Sequence, residues 1–495
     1  MPELAAPDYA VARLVLERGI AAIYAIAFVV AFQQFPALAG ERGLEPVPRL
    51  LAAVHRFRDL PTIFRWVGYS DARLRTVSLV GVAVSVALVL GVPQGSLVAP
   101  AIGLPLTMLA WFVLWVLYQS IVNIGGTFYG FGWETLLLEA GFLAIFLGNA
   151  AIAPPLLVLW LYRWLAFRVE LGAGLIKLRG DPCWRNLTCM EFHHETQPMP
   201  NPLSWFFHRL PRAWHRFETV GNFVAQLILP FGLLLPQPFA TAAAILMIVT
   251  QLYLVVSGNY AWLNWITIIV MTAAIADPVV RAVAPALAAI PESIAGGAVP
   301  APEPMWFGLA VVALTVLVVV LSAAPLRNLL RSDQAMNASF DPFRLVNTYG
   351  AFGSVSRVRN EVVVEGTLDP AVTEDTAWRE YEFKGKPTDV QRLSPQVAPF
   401  HLRLDWLLWF LPLSPRYGDG WFVPFLGKLL EADRSTLRLL RRDPFAGARP
   451  QFIRVGLYRY RYTTWDERRR TGAWWVRTYL GELVPPVQLR DGAVA

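Results

Sequence analysis

Cysteine and charge are both scarce in this sequence, and each shortage excludes a class of protein. Cys183 and Cys189 are the only two cysteines, which excludes a disulfide-stapled scaffold and a zinc site built from four thiolates. Charged residues make up 16% of the chain and hydrophobic residues 55%, whereas soluble domains carry about 25% charged residues. Lipid, rather than water, must therefore cover much of the surface.

Short signatures of familiar enzymes are also missing. The chain has no G-x-S-x-G nucleophile elbow, no phosphate-binding Walker loop, no H-E-x-x-H zinc motif and no dinucleotide-binding glycine pattern. It has no lysine-rich tail or basic helix, so the net charge of +7 does not indicate a nucleic-acid partner. Cationic loops beside anionic phospholipid head groups explain that charge better, and the lipid bilayer is the first predicted partner.

Long apolar stretches dominate the first two thirds of the chain. They predict an α-helical polytopic membrane bundle over residues 1–326, with polar loops at about 36–76 and 176–218. We expect about nine transmembrane helices, each of about 20 residues. A retained first span is expected, although Ala37-Leu38-Ala39 after it also resembles a signal-peptidase site. The approximate limits of the stretches are Leu16–Phe35, Val77–Leu97, Ile102–Ile121, Glu134–Leu147, Ala151–Leu175, Thr219–Leu235, Phe239–Val256, Ala261–Val279 and Met305–Ala323.

The composition changes to that of a soluble domain from residue 327, and we predict a C-terminal α+β extramembrane domain over 327–495. Two segments of this region, Leu404–Leu411 and Trp421–Leu430, are aromatic and apolar and are expected to be helical. These helices either rest on the membrane interface, where Trp is favoured, or pack in the core of the domain. The predicted strands are Glu361–Glu365, Trp378–Phe383 and Gln451–Tyr462.

Charged side chains interrupt the fifth apolar stretch and are the first candidates for chemistry. Arg163 and Glu170 lie two helical turns apart, so they share a helix face with Lys177. Arg168 points elsewhere, and Glu139 in the fourth stretch is a candidate partner. Each charge in hydrocarbon costs about 3 kcal/mol, so such side chains face the bundle interior or a cavity. They predict either a structural network of ion pairs or a functional polar cavity. Gly172 lets the same helix approach a neighbour closely.

The loop after this stretch is the densest polar segment of the chain. Its His193, His194 and Glu195 can supply general acid–base chemistry. The spacing C-x5-C-x3-H-H matches no usual zinc pattern, so no metal is predicted. Cys183 and Cys189 either form a local disulfide or remain two buried thiols.

Several irregular segments of the chain carry a family resemblance. The strongest is Leu175–Glu218, which includes Gly-Asp-Pro-Cys-Trp-Arg-Asn-Leu-Thr-Cys and Glu-Thr-Gln-Pro-Met-Pro-Asn-Pro. Others are Gly132–Phe142, Ser257–Tyr260, Val346–Gly353, Glu380–Lys384, Leu402–Trp406 and Gly427–Glu431. Together these segments resemble the lipase maturation factors. Matches this long and irregular are far more specific than any short motif.

The resemblance implies a multi-pass membrane protein that helps secreted lipases reach their active, assembled state. We therefore predict a membrane-bound maturation or folding factor whose client is an exported lipase or a similar secreted hydrolase. The family has no established catalytic residue, and no cofactor is predicted. The C-terminal domain is the part expected to hold the client, with Trp406, Trp409, Trp421 and Phe422 as the candidate binding residues.

A polytopic membrane enzyme is the alternative. Its site would join the intramembrane charges to the loop at 177–218, in a layout loosely similar to that of the vitamin K-dependent carboxylases. The two hypotheses differ in whether the charged residues converge on one pocket or pair off. The candidate catalytic residues are His193, His194, Glu195, Glu139, Arg163, Glu170 and Lys177.

We expect an integral membrane protein. The sequence does not decide which side of the membrane the C-terminal domain and the loop at 177–218 face. Abundant Ala and the preference for Arg over Lys are typical of a GC-rich bacterial genome, for which the inner membrane is expected. In eukaryotic relatives the resemblance implies the endoplasmic reticulum membrane. The charges of the loops place them in the cytoplasm, whereas the resemblance implies that the C-terminal domain faces the lumen or the periplasm.

Overall fold

Helices form most of the first 330 residues. In this computed structural model, residues 5–92, 100–294, 301–490 and 492–494 are described. The α-helices of this part are α1 (Ala10–Leu38), α2 (Val47–Ala53), α3 (Phe64–Val67), α4 (Asp71–Leu90), α5 (Pro100–Ile124), α6 (Gly132–Ala144), α7 (Leu156–Arg179), α8 (Pro182–Arg185), α9 (Met190–Thr196), α10 (Ser204–His208), α11 (Arg212–Phe223), α12 (Leu229–Gly232), α13 (Phe239–Ser257), α14 (Leu263–Met271), α15 (Asp277–Val283), α16 (Pro285–Ile294), α17 (Met305–Leu321) and α18 (Ala323–Leu330).

Candidate membrane spans are fewer than the sequence predicted. In the described ranges, 5 helices are long and apolar enough to cross a membrane, or 6 if a bent pair is one span. That pair is Leu263–Ala274 followed by Asp277–Val283, which bend by 109°. The 5 helices are Pro7–Leu38, Asp71–Leu90, Ile102–Ile124, Phe239–Ser257 and Met305–Leu330. A helical membrane protein is thus confirmed, and the count of about nine spans is not.

The other predicted spans differ from these for local reasons. α6 has 13 residues and is about 20 Å long, too short for a hydrocarbon core of about 30 Å. α7 has 24 residues but carries Arg163, Arg168 and Glu170. The sixth stretch is interrupted by a π-helical turn at Val224–Ile228. The end of the second predicted stretch, residues 93–97, lies outside the described residues.

α1 lies in the interior of the helical bundle. It packs against α4, α5, α6 and α14, and its side chains Leu16, Ile20 and Tyr24 are fully buried. Such a position requires a helix that is apolar on every face, because other helices or lipid contact it all round. This first helix therefore has a structural role in the core, and its retention in the mature protein stays a prediction.

An antiparallel sheet forms the β part of the C-terminal region. Its strands are β1 (Arg359–Thr367), β2 (Arg379–Glu380), β3 (Phe452–Tyr462) and β4 (Trp475–Val487), in the order β2-β1-β3-β4. A separate hairpin pairs β5 (Leu489–Arg490) with β6 (Ala493–Val494), and the helices are α19 (Arg403–Leu408), α20 (Phe422–Leu430), α21 (Arg434–Leu437) and α22 (Trp465–Thr471). The predicted strands correspond to β1, β2 and β3, and the predicted helices to α19 and α20. β4 was not predicted, because Gly481 and two prolines weaken its strand pattern.

Buried ion pairs join the C-terminal region to the helices. The Arg403 Nη1 atom lies 2.8 Å from the Glu134 Oε1 atom, with both side chains 0% exposed. Arg168 of α7 pairs with Glu139 and donates to the carbonyl oxygen of Asn347 at 2.5 Å. A single core of buried apolar side chains extends through both parts of the chain. The division into domains at residues 326 and 327 therefore stays a prediction.

Candidate functional cavity

The main cavity lies where the helices meet the C-terminal region. Its volume is about 1000 Å³, at the upper end of the range for small-molecule sites. Side chains of α7, α9, α11, α13 and α14 line it on the bundle side, and side chains of α19 and of the segment 332–354 line it on the other. Most of the lining is apolar or aromatic, and a small group of polar side chains is concentrated on α7 and its neighbours.

Lys177 of α7 is the buried cation of this cavity. Its Nζ atom donates hydrogen bonds to the Asn222 Oδ1 atom at 2.9 Å and the Gln226 Oε1 atom at 2.8 Å. The ammonium also lies 5.1 Å from the centre of the Trp184 ring, where a cation–π contact adds stabilisation. Amide oxygens and an aromatic face thus replace the water that an exposed lysine would have.

Glu170 lies two helical turns before Lys177 on the same helix and lines the same cavity. Its Oε1 atom accepts a hydrogen bond from the Gln251 Nε2 atom at 2.6 Å, and Gln251 is in turn held by Asn264 at 2.7 Å. The Oε2 atom is buried and makes no hydrogen bond in the described part of the chain. A buried carboxylate oxygen without a donor is unusual, and it leaves this atom able to accept a hydrogen bond from a ligand.

His193 of α9 is the third predicted residue on the cavity wall. The Tyr260 hydroxyl donates to the Gln197 Oε1 atom at 2.5 Å, so the His193 Nε2 atom donates to the Tyr260 oxygen at 2.9 Å. Burial, reinforced by the neighbouring His194 and Lys177, lowers the pKa of His193 to about 3. The imidazole is therefore neutral at physiological pH, and its low basicity makes it a weak general base there.

His194 belongs to a different cluster, centred on Glu218. The Glu218 carboxylate accepts hydrogen bonds from the His194 Nε2 atom at 3.0 Å, from the His215 Nδ1 atom at 2.7 Å and from the Tyr253 hydroxyl. Burial alone would raise the pKa of Glu218, but the hydrogen bonds from His194 and His215 outweigh it and lower the pKa to about 2. Sequence reasoning missed His215 and Glu218, although their i,i+3 spacing puts them on one helix face.

This cluster is also the place where a metal ion fits best. The ligand atoms of His194, His215 and Glu218 lie within 4.8 Å of one another, the one such group in the described ranges. Two histidines and a carboxylate are a common donor set for zinc. Three hydrogen-bond donors already satisfy the carboxylate, whereas the buried His194 Nδ1 atom has no hydrogen-bond partner among the described residues.

The remaining predicted catalytic residues lie away from the cavity. Glu139 pairs with Arg168 and accepts hydrogen bonds from the Asn347 backbone at 3.0 Å and the Tyr349 hydroxyl at 2.7 Å. Arg163 donates to the carbonyl oxygen of Ala273 at 3.1 Å. These contacts are the structural network that the sequence offered as one alternative.

Glu195 joins the loop to the C-terminal sheet. Its Oε2 atom accepts a hydrogen bond from the Tyr462 backbone nitrogen of β3 at 2.7 Å and lies 3.5 Å from the His208 Nε2 atom. Burial raises the pKa of Glu195. Of the candidate catalytic residues, the cavity therefore brings together Glu170, Lys177 and His193, and it leaves Glu195 outside.

The four candidate client-binding residues fall into two groups. Trp406 and Trp409 line the cavity, and the Trp409 Nε1 atom donates to the carbonyl oxygen of Thr196 at 2.9 Å. Trp421 and Phe422 are buried and pack against each other in the core of the C-terminal region. Trp406, Trp421 and Phe422 are all less than 9% exposed, too little for direct contact with a client, and the role of all four stays a prediction.

The two cysteines form a disulfide within the loop. Cys183 and Cys189 have Cα atoms 4.8 Å apart, within the range that a disulfide needs. Both are buried against Trp184, Met190 and Val355. Trp184 also lines the cavity, so the disulfide that packs against it stabilises this part of the cavity wall.

Comparison with known proteins gives the family of the chain. A family model described as the lipase maturation factor transmembrane domain matches residues 11–282. A second, described as the lipase maturation factor C-terminal domain, matches residues 345–485. No solved structure matches the chain.

Named relatives match the chain over almost its whole length. Lipase maturation factor 1 of Bos taurus is 40% identical, covering 99% of this chain and 91% of that protein. Lipase maturation factor 1 of Homo sapiens is 39% identical, covering 97% of this chain and 88% of that protein. Lipase maturation factor 2 of Homo sapiens is 27% identical, covering 96% and 82%. The chain therefore belongs to the lipase maturation factor family.

Proposed function

We propose that this protein is a membrane-bound maturation factor that helps an exported lipase, or a similar secreted hydrolase, reach its active, assembled state. Family membership carries this proposal, because relatives named lipase maturation factor 1 cover 97% to 99% of the chain. The alignment includes the membrane helices and the C-terminal region alike. The lipase client is taken from the name of those relatives. That this client is exported is our own inference.

A strain that lacks this protein tests the maturation role. Each exported lipase is assayed for activity per unit of lipase protein, with and without a plasmid copy of the gene. We expect the specific activity of at least one lipase to fall while its synthesis continues, because unassembled lipase is inactive. Unchanged specific activity of every exported lipase would rule the proposal out.

The disulfide supports an orientation with the loop and the C-terminal region on the exported side. Disulfides persist in the periplasm or the endoplasmic reticulum lumen and are rare in the cytosol. The same loop contacts the C-terminal region, since the Arg357 Nη2 atom lies 2.7 Å from the Asp181 Oδ1 atom. We infer that both lie in the oxidising compartment. In intact cells, an impermeant maleimide should then label an Arg185→Cys variant, whose position in this loop is exposed, and labelling only after cell lysis would contradict this orientation.

We further propose that α7 crosses the bilayer inside the bundle, in addition to the candidate spans. Its 24 residues extend about 36 Å, more than the hydrocarbon core of about 30 Å. Its charges point to partners within the protein, as with Arg168 and Glu139, so lipid need not solvate them. A glycosylation or reporter tag placed before and after α7 should report opposite sides of the membrane.

The membrane-enzyme alternative is favoured by a single observation, the convergence of Glu170, Lys177 and His193 on the cavity. An enzyme would change its client or substrate covalently, whereas a folding factor would not. The intact mass of the secreted lipase, made with and without this protein, separates the two. A reproducible mass difference favours the enzyme, and equal masses with different activities favour the folding factor.

A further inference from the structure

The cavity has an apolar body large enough for a long-chain molecule. Val169 and Leu263 line it from the helices, and Trp406, Trp409 and Phe410 line it from the C-terminal region. A volume of about 1000 Å³ exceeds what these side chains need for packing, since protein interiors contain few voids larger than a water molecule. An apolar ligand that fills this volume would gain the hydrophobic free energy of leaving water.

One wall of the cavity is formed by a candidate span. Phe217 of α11 and Val249 of α13 line the cavity and are 64% and 57% exposed. Val249 lies in the candidate span Phe239–Ser257. This wall of the cavity therefore lies at the depth of the bilayer, where lipid is the abundant apolar molecule.

The cavity wall at α7 is polar, while Glu218, a further carboxylate of the lining, already has three hydrogen-bond donors. Glu170 and Lys177, one acid and one base, lie on the same face of α7. The Glu170 Oε2 atom, on a side chain 1% exposed, has no hydrogen-bond donor among the described residues. An ammonium has three donors, and Lys177 uses two of them on Asn222 and Gln226. The Glu170 Oε2 atom therefore offers an acceptor to a hydroxyl group on the helix face that also carries the Lys177 ammonium.

We propose that this cavity binds a neutral lipid with a hydroxyl head group, taken up from the bilayer. The hydroxyl lies at the Glu170 and Lys177 end, and the chain packs against the tryptophans of α19 and the segment after it. A charged head group fits less well, because it would add an uncompensated charge to a buried pair. Such a ligand site is separate from the proposed maturation role and does not depend on it.

The test uses the full-length protein in detergent micelles with 1,2-dioleoylglycerol as the probe. The matched ligand is the 3-O-acetyl derivative, which has the same chains and no hydroxyl. Native mass spectrometry counts bound molecules, and tryptophan fluorescence follows the titration. We expect a single bound diacylglycerol and binding weaker by about tenfold or more for the acetyl derivative, because hydrogen bonds to charged groups are lost. Equal binding of both ligands, or binding of neither, overturns the proposal.

A matched pair of variants tests whether the cavity is the site. Ala173 lines the cavity between Glu170 and Lys177 on α7, so Ala173→Phe should fill its polar end and abolish binding. Ala242 on α13 is exposed, so Ala242→Phe adds the same bulk outside and should bind as the unaltered protein does. Equal binding by both variants contradicts the proposal. If Ala173→Phe does not fold, the comparison of the two ligands on the unaltered protein decides.

Molecules extracted from the purified protein identify the natural occupant. Acylglycerols and prenols share the neutral hydroxyl and the long apolar chain, and recovery of either in a ratio near one per chain supports the proposal. Recovery of a peptide, or of phospholipid alone, contradicts it. Lipase activity is not measured in these experiments, so failure here leaves the maturation role untouched, and the reverse also holds.

Discussion

Arg403 illustrates how single residues hold the two parts of this protein together. Its guanidinium is 0% exposed and lies 2.8 Å from the Glu134 carboxylate. It also donates to the carbonyl oxygen of Phe128 at 2.6 Å and lies 3.4 Å from the centre of the Tyr129 ring. A buried charge with this many partners adds little net stability as a pair, but it costs much when one partner is removed.

Glu134→Gln should therefore lower the stability of the protein by about 3 kcal/mol, because the Arg403 charge stays buried without its counterion. The measurement is the unfolding midpoint in detergent, followed by tryptophan fluorescence. Arg331→Gln, which removes an exposed ion pair with Asp333, is the control and should leave the midpoint unchanged. The double variant Glu134→Leu/Arg403→Met should be more stable than Glu134→Gln, and a midpoint for Glu134→Gln equal to that of the control would contradict the argument.

His193 should make the protein less stable in mild acid. Burial lowers the pKa of His193 from 6.5 to about 3, so between these values the unfolded chain binds a proton that the folded protein does not. The free energy of unfolding therefore falls as the pH falls below 6.5, by about 2 kcal/mol at pH 5 for this residue.

His193→Gln should reduce that dependence, since glutamine does not titrate. The slope of unfolding free energy against pH between 7 and 5 is the quantity to compare. His55→Gln, at an exposed position, should leave the slope as it is. A slope that is the same in all three proteins would mean that His193 is protonated in the folded state or exposed to water.

At the scale of elements, the position of α7 depends on Gly172 as well as on its charged side chains. A Cβ atom on Gly172 would lie 2.3 Å from the carbonyl oxygen of Tyr349, closer than any real contact allows. The close approach expected from the sequence is therefore confirmed, and the neighbour is the segment that leads to β1 rather than another membrane helix. This contact brings the segment 349–353 to the cavity wall.

Gly172→Ala should displace that segment and destabilise the protein by about 2 kcal/mol, the usual cost of overpacking. Gly221→Ala in α11 is the matched control, because a Cβ atom there meets nothing within 4 Å. The control should be neutral or more stable by about 0.5 kcal/mol, since alanine favours helix over glycine. Thermal unfolding of both variants decides, and equal midpoints would show that the segment can move aside.

For the whole molecule, the junction between helices and C-terminal region is part of the core. Arg403 neutralises Glu134, and Glu139 accepts hydrogen bonds from the Asn347 backbone and the Tyr349 hydroxyl. Without these partners, both carboxylates would stay buried in the bundle with fewer donors. The sheet alone would also lose the helices that cover one side of the shared core.

A chain truncated after residue 326 should therefore fail to give a stable, monodisperse protein. The measurement is fluorescence-detected size exclusion of the truncated and full-length chains, each carrying the same C-terminal tag. Glu134→Gln in the truncated chain should recover part of the loss, because this carboxylate has lost Arg403 and its uncompensated charge is then removed. A sharp, stable peak from the plain truncation would mean that the two parts are independent domains.

By itself, the sequence determined the features that rest on local pattern. Apolar stretches and low charge predicted a helical membrane protein, the period-two pattern predicted β3, and the long irregular segments predicted the family. These follow from near neighbours along the chain, because helix and strand periodicity and lipid solvation are local properties.

Only the tertiary structure decided the partners. It paired Glu139 with Arg168, placed His215 and Glu218 beside His194, and gave 5 or 6 candidate spans among the described residues. It also showed that Cys183 and Cys189 form a disulfide, which the sequence left undecided. The physical reason is that a buried charge takes its counterion from wherever the fold brings one close, and sequence separation carries no information about that distance.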